Sequence, residues 1–154
     1  MDQYSVTALG HVRGGRSDIT DDRWASVSAR IELDPRILQA SATLGLSEFS
    51  HIEVVYLFHR VSSEDLCTGA RHPRGRPDWP EVGILAQRAK DRPNRIGVST
   101  CQLINVNGLT LEVKGLDAVD GTPVVDIKPY LTGFAPRDST REPPWAVELM
   151  SYYW

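Results

Sequence analysis

A mostly β fold, arranged as a largely antiparallel barrel or curled sheet with one short helix and long loops, is what this sequence predicts. Three observations carry that reading. Strand-like runs come in neighbouring pairs along the chain, which suits antiparallel pairing better than a doubly wound layout. Asn107-Gly108 stands between two β-rich runs, Cys101–Val106 and Leu109–Val113, and both turn residues tolerate positive φ, which makes this a strong hairpin signal. No G-x-G-x-x-G follows a strand, so a Rossmann cofactor site has no support.

Taken in order, Tyr4–Val12 reads as a first strand with Tyr4, Val6 and Ala8 on one side, and Arg13–Asp22 reads as a polar loop. Val27, Ala29, Ile31 and Leu33 then alternate with Ser26, Ser28, Arg30 and Glu32, the period of two of a half-buried strand. Asp34-Pro35 opens the expected helix. Aspartate accepts a free backbone N–H, proline suits the first helical position, Ile37, Leu38 and Leu44 supply an apolar face, and Gly45 ends it. Ile52–Phe58 is rich in β-branched and aromatic residues and reads as a strand buried on at least one face. Val61–Pro80 is long, basic and proline-restricted, and a long loop inside a compact domain is often functional. Gly83–Ala86 is a short strand. The stretch Asp91–Tyr130 holds two polar loops around the hairpin, at the edges of the scaffold where function tends to sit. Beyond Tyr130 the chain turns irregular, with Trp145–Trp154 apolar enough to dock on the rest. The expectation is one domain over 1–154, its core about 4–131 and its tail 132–154, built from about six strands.

Composition narrows the function classes. A net charge of −3 argues against a domain dominated by nucleic-acid binding, although Arg71, Arg74, Arg76, Arg88, Lys90, Arg92 and Arg95 offer a local basic face. There is no signal-peptide pattern and no apolar run of membrane-spanning length, so the expected setting is cytoplasmic. Cys67 and Cys101 form neither a disulfide framework nor a C-x-x-C pattern; both read as free thiols, and no metal site is expected.

Single motifs do not name a chemistry. Asp120-Gly121-Thr122-Pro123 suits close backbone approach to a ligand, or simply a turn. Arg92-Pro93-Asn94 offers a rigid guanidinium beside an amide, and His59-Arg60 closes the most apolar strand. No H-E-x-x-H, Walker A loop, EF-hand loop or Ser-His-Asp spacing is present.

Together they do. The run D-R-P-N-R-I-G-V-S from Asp91, followed by G-L-D-A-V-D-G-T-P-V-V-D-I-K-P-Y ending at Tyr130, resembles the TsaA-like (TrmO) family of S-adenosylmethionine-dependent tRNA adenosine methyltransferases. F-S-H-I-E-V-V-Y-L-F-H-R, ending at Arg60, fits the same family. The resemblance implies a single-sheeted β-barrel, a homodimer with its cofactor site near the subunit interface, and N6-methylation of a threonylcarbamoyl-adenosine next to the tRNA anticodon. By motif position it implies His59, Arg60, Arg88, Val98, Asp120, Gly121, Thr122 and Pro123 at S-adenosyl-L-methionine, and Arg92, Asn94 and Arg95 toward the substrate. No catalytic base is assigned, His59 and Asp120 being the candidates. The alternatives are a methyltransferase of the same fold acting on a small molecule, and a non-catalytic S-adenosylmethionine-binding module. Three departures stand out. Arg95 replaces a proline of the usual R-P-N-P-I-G. Gly14-Gly15 and Asp22-Arg23-Trp24 stand where S-P-F and P-R-Q are common, with Arg23 or Trp24 as the substitutes. The extra C-terminal domain of the longer bacterial members has no counterpart in these residues.

Overall fold

The computed structural model describes all 154 residues. Its strands are Gly10–Arg13 (β1), Ser28–Leu33 (β2), His51–Leu57 (β3), Ala70–Arg71 (β4), Val82–Gly83 (β5), Ile96–Asn107 (β6), Thr110–Lys114 (β7) and Pro123–Pro129 (β8), and its α-helix is Pro144–Met150 (α1). Six strands close into one barrel in the order β1-β2-β7-β6-β3-β8, with every adjacent pair antiparallel. β4 and β5 pair separately within the long loop.

The barrel follows from the alternation. Ala29, Ile31 and Leu33 of β2 face inward, as do Ile52, Val54 and Tyr56 of β3 and Leu111 and Val113 of β7, and they share one core with Val12, Cys101, Leu103 and Val124. Each buried aliphatic side chain contributes about 1.5–3 kcal/mol by leaving water. The long strand β6 serves both β3 and β7, and Ile104 forms an extra residue between its pairings of Leu103 with Val113 and Asn105 with Glu112. A second irregularity falls on β8, where Val125 lies between partners of Val55 and Tyr56. Such bulges sharpen strand bending, which a small closed barrel requires.

The hairpin forms as expected, one residue along. Asn107 pairs with Thr110, so the two turn residues are Gly108, at φ 58°, and Leu109. Thr43 donates its hydroxyl to the Gly108 carbonyl at 2.8 Å and steadies the turn.

Three expectations are corrected. The first strand does not span Tyr4–Val12: it begins at Gly10, Tyr4 and Val6 are exposed, and no backbone hydrogen bond ties residues 4–8 to the barrel. The helix expected from Asp34 does not form. Asp34 does accept the Arg36 N–H, at 2.8 Å, but the chain continues through turns and short 3₁₀ segments at Ala40–Thr43 and Leu46–Glu48. Of the intended apolar face only Leu38 packs on the core, while Ile37 and Leu44 are exposed, so burial gives the helix nothing to stabilise it. The one α-helix lies in the tail, at Pro144–Met150, with proline at its first position. The strand expected over Gly83–Ala86 is also shorter, ending at Gly83 before a 3₁₀ turn over Ile84–Ala86.

That tail returns to the body of the molecule. Arg23 and Trp24 donate their backbone N–H groups to the carbonyls of Tyr152 and Tyr153, at 2.9 and 2.8 Å. The buried Trp79 donates its indole N–H to Glu148 at 2.9 Å, packs 6.5 Å from Trp145, and carries the Arg76 guanidinium over its ring. No helix is long and apolar enough to cross a membrane.

Candidate functional site

The outer end of β3, the loop before β6 and the C-terminal tail surround a cleft of about 1150 Å³. β3 delivers Tyr56 and, just beyond its end, Phe58, His59 and Arg60. Gly97 of β6 is needed directly beside them. A Cβ there would lie 2.5 Å from the Tyr56 ring and 2.9 Å from Phe58, two rings that meet edge to face at 5.5 Å.

His59 is poised on the cleft with its pKa lowered, first by burial and next by the positive charge of Arg60, so it is neutral at pH 7. Arg60 donates to the Ser17 carbonyl. Arg88 donates to the carbonyl of Val98, which places guanidinium and strand backbone at one spot. Arg92 donates to the Gln87 carbonyl at 2.7 Å, tying its loop to the segment that carries Arg88.

Most of the motif residues meet here. His59, Arg60, Arg88, Val98 and Thr122 line the cleft, and so do Arg92 and Asn94. Asp120, Gly121 and Pro123 stand behind it. Asp120 accepts the Gly14 N–H at 2.8 Å, and its own N–H donates to Arg16 at 2.7 Å, so this loop is stapled to the Gly14–Arg16 turn. Gly121, at φ 83°, backs onto His59: a Cβ there would sit 3.7 Å from the imidazole Nε2. Asp120 therefore acts on loop shape here, which leaves His59 as the base candidate that faces the cleft.

Arg95 does not line the cleft, which departs from the expectation that it faces substrate. Its guanidinium donates to the Val61 carbonyl at 2.8 Å, and it has φ 54° beside Asn94 at φ 64°. Proline is locked near −65° and cannot adopt that backbone, so the proline-to-arginine departure changes the course of the loop itself. In the divergent N-terminal segment, Trp24 is the residue that takes a place on the cleft wall, with the Arg16 guanidinium 4.5 Å from its ring centre. Arg23 serves through its backbone.

Sequence reasoning missed the polar centre of the site. Asp117, half-buried on the cleft wall, accepts hydrogen bonds from Tyr56, at 3.1 Å, and from Ser99 and Tyr153. Burial and the Asp117 charge raise both tyrosine pKa values, so both hydroxyls are protonated donors. The same two causes push the Cys101 thiol up to about 12, which leaves it an unreactive core group. Asp117 opens the D-A-V-D-G-T-P run, but its partners lie on distant segments and no local spacing betrays them. No cluster of three or more His, Cys, Asp or Glu side chains is placed to hold a metal.

Barrel, glycine-backed aromatic corner and arginine-lined cleft together define a small β-barrel ligand-binding domain. Comparison with known proteins makes that specific: residues 20–135 match the family model described as the tRNA-methyltransferase O N-terminal domain, and the chain belongs to that family. It is 38% identical over 110 residues to the tRNA (adenine(37)-N6)-methyltransferase of Escherichia coli, covering 69% of this chain and 46% of that protein. It is 39% identical over 98 residues to a Pyrococcus abyssi protein named "Probable S-adenosyl-L-methionine-binding protein", covering 62% of this chain and 50% of that one. The crystal structure of TrmO from Pseudomonas aeruginosa superimposes with a TM-score of 0.71 at 30% identity, covering 90% of this chain and 62% of the other. The chain thus spans about half the length of the curated relatives compared here.

Proposed function

We propose that this chain is an S-adenosylmethionine-dependent methyltransferase domain acting on N6 of a threonylcarbamoyl-modified adenosine next to the tRNA anticodon. The observation that carries the reading is the convergence of His59, Arg60, Arg88, Val98 and Thr122 on one cleft in a member of this family. The names of the E. coli and P. abyssi relatives support the reaction and the cofactor respectively.

The residues present fit that cofactor. The cleft exceeds the roughly 300–1,000 Å³ of common small-molecule sites, has aromatic walls in Trp24 and Phe58 for a base, and has an arginine for a carboxylate. Bound there, S-adenosylmethionine would supply an electrophilic methyl group. The chain's own task is then mainly alignment, which is worth several kcal/mol when two reactants are held in line. Arg88 would hold the amino-acid carboxylate, Thr122 would contribute to the wall with the rest of its loop supporting it from behind, and Arg92 and Asn94 would face the acceptor. His59, neutral at pH 7, is the group placed to take the proton the acceptor nitrogen gives up. Arg88→Ala is expected to weaken cofactor binding about 10- to 100-fold, since one charge-assisted bond is worth ~1.5–3 kcal/mol; calorimetry showing unchanged affinity would remove Arg88 from the site.

The deciding experiment offers labelled S-adenosylmethionine to the protein with tRNA carrying or lacking the threonylcarbamoyl group, beside a metabolite extract. Label in modified tRNA alone supports the proposal. A small-molecule acceptor is favoured by one observation: Arg71, Arg74 and Arg76 are ion-paired with Asp91, Asp22 and Asp78, so three of the seven cations of the basic face are neutralised. Label confined to metabolites would select that reading, and binding without transfer would select a sensor. We also infer a homodimer in a cytoplasmic setting. Ile96 and Val98, exposed where the outer face of β6 borders the cleft, and Ile104, exposed farther along the strand, are apolar groups that support pairing there. Sedimentation at one chain's mass would overturn the dimer.

A further inference from the structure

We propose that Asp117 is the cation-recognising group of the cleft and takes the α-ammonium of the bound ligand, with Arg88 reading the carboxylate of the same amino-acid end. This rests on the S-adenosylmethionine reading above and names a contact within it.

Asp117 accepts from hydroxyls alone. Tyr56 and Ser99 reach Oδ1, and Tyr153 reaches Oδ2. It takes part in none of the chain's ion pairs, whereas Asp91, the other half-buried carboxylate on the cleft wall, is paired with Arg71; Asp21, which also has no ion pair, lies exposed at the rim. A half-buried carboxylate with neutral donors alone retains its demand for a cation, because hydroxyl bonds recover only part of the hydration it loses. Its wall is open to the cleft, so a ligand can meet that demand.

Arg88 supplies the complementary half. It lines the same cleft and has no carboxylate partner, its hydrogen bond going to the Val98 carbonyl. Both charges act on the same two hydroxyls: at Tyr56 and Tyr153, Asp117 holds the proton on while Arg88 draws it off. An unpaired acid and an unpaired guanidinium facing one cavity are the complement of an α-amino-acid zwitterion.

Tyr153 is a positioning residue in this scheme. It lies in the tail, beyond the matched residues 20–135, and reaches Asp117 only because residues 152 and 153 are fastened to Arg23 and Trp24. It fixes the oxygen that the other two hydroxyls leave free to turn.

The test is a thermodynamic cycle. Wild type and Asp117→Asn, which keeps the shape and the acceptor oxygen, are titrated with S-adenosylhomocysteine and with its deaminated analogue. Asp117→Asn is expected to bind S-adenosylhomocysteine about 10- to 100-fold more weakly, with no further loss on deamination, and to lose S-adenosylmethionine affinity equally. Losses that simply multiply, or an indifferent Asp117→Asn, overturn the inference. A loss confined to S-adenosylmethionine would place the carboxylate at the sulfonium and overturn it too. Tyr153→Phe, which leaves the acid in place, should lose several-fold in affinity for the aminated ligand alone; equal loss for both ligands would mean a merely structural role and count against it. Wild type that binds none of these ligands would overturn the cofactor reading itself, an outcome distinct from failure of Asp117.

Discussion

At the scale of single residues, the tightest constraint is Gly97. Its missing side chain lets Tyr56 and Phe58 stack against β6, and a Cβ would intrude to 2.5 Å from the Tyr56 ring. Gly97→Ala is expected to cost about 1–3 kcal/mol by overpacking, a fall of roughly 2–4 °C in melting temperature for each kcal/mol. It should also disturb the cleft, because the displaced ring carries a hydroxyl of the Asp117 cluster. A calorimetric scan that matches wild type would show that the corner has slack. His59 gives a pH signature. Its folded pKa lies below the ordinary 6.5, so the folded chain binds this proton less readily than the unfolded one. The penalty is absent above pH 6.5 and sets in as pH falls through that value toward the folded pKa. Melting temperatures over about pH 5–8 should therefore drop more steeply on the acid side for wild type than for His59→Gln. Parallel curves would show that His59 is unperturbed.

At the scale of elements, the tail is where structure outran pattern. Alternation in β2, β-branched density in β3 and the glycine turn between β6 and β7 were legible because each is written within a few consecutive residues, even where the strand's partners are distant, as β6 and β8 are from β3. The motif loops were legible as edges of the scaffold, and most of their side chains do meet. That Trp145–Trp154 would dock was legible in its apolar residues; where it docks was not, since that depends on long-range bonds: Trp79 to Glu148, Arg23 to Tyr152, Tyr153 to Asp117. Capping residues at Asp34 suggested a helix that lacked a buried face, whereas Pro144–Met150, with its weak local signals, is held by what it docks against. Glu148→Ala should remove the acceptor of a buried indole N–H and cost about 1–3 kcal/mol, with amide exchange accelerated throughout the tail. Glu148→Gln should largely restore both. If Glu148→Ala leaves tail exchange unchanged, the Trp79 bond does not hold the tail.

At the scale of the whole molecule, charge decides how a nucleic acid would be met. Net charge is −3, and three arginines of the candidate basic face are occupied by aspartates, leaving chiefly Arg88, Lys90 and Arg92 near the cleft. Binding of modified tRNA should accordingly weaken with salt by a slope worth no more than about three phosphates, ~0.7–0.9 each on a log–log plot. A slope twice as steep would require a basic surface elsewhere, on a partner subunit or on the arginines released from their aspartates. The same assembly has an optical side. The chain has four tryptophans; Trp24, Trp145 and Trp154 line the cleft and Trp79 packs against Trp145. Every indole is thus gathered at one mouth, and the protein's own ultraviolet emission is a built-in gauge of whether that mouth is filled.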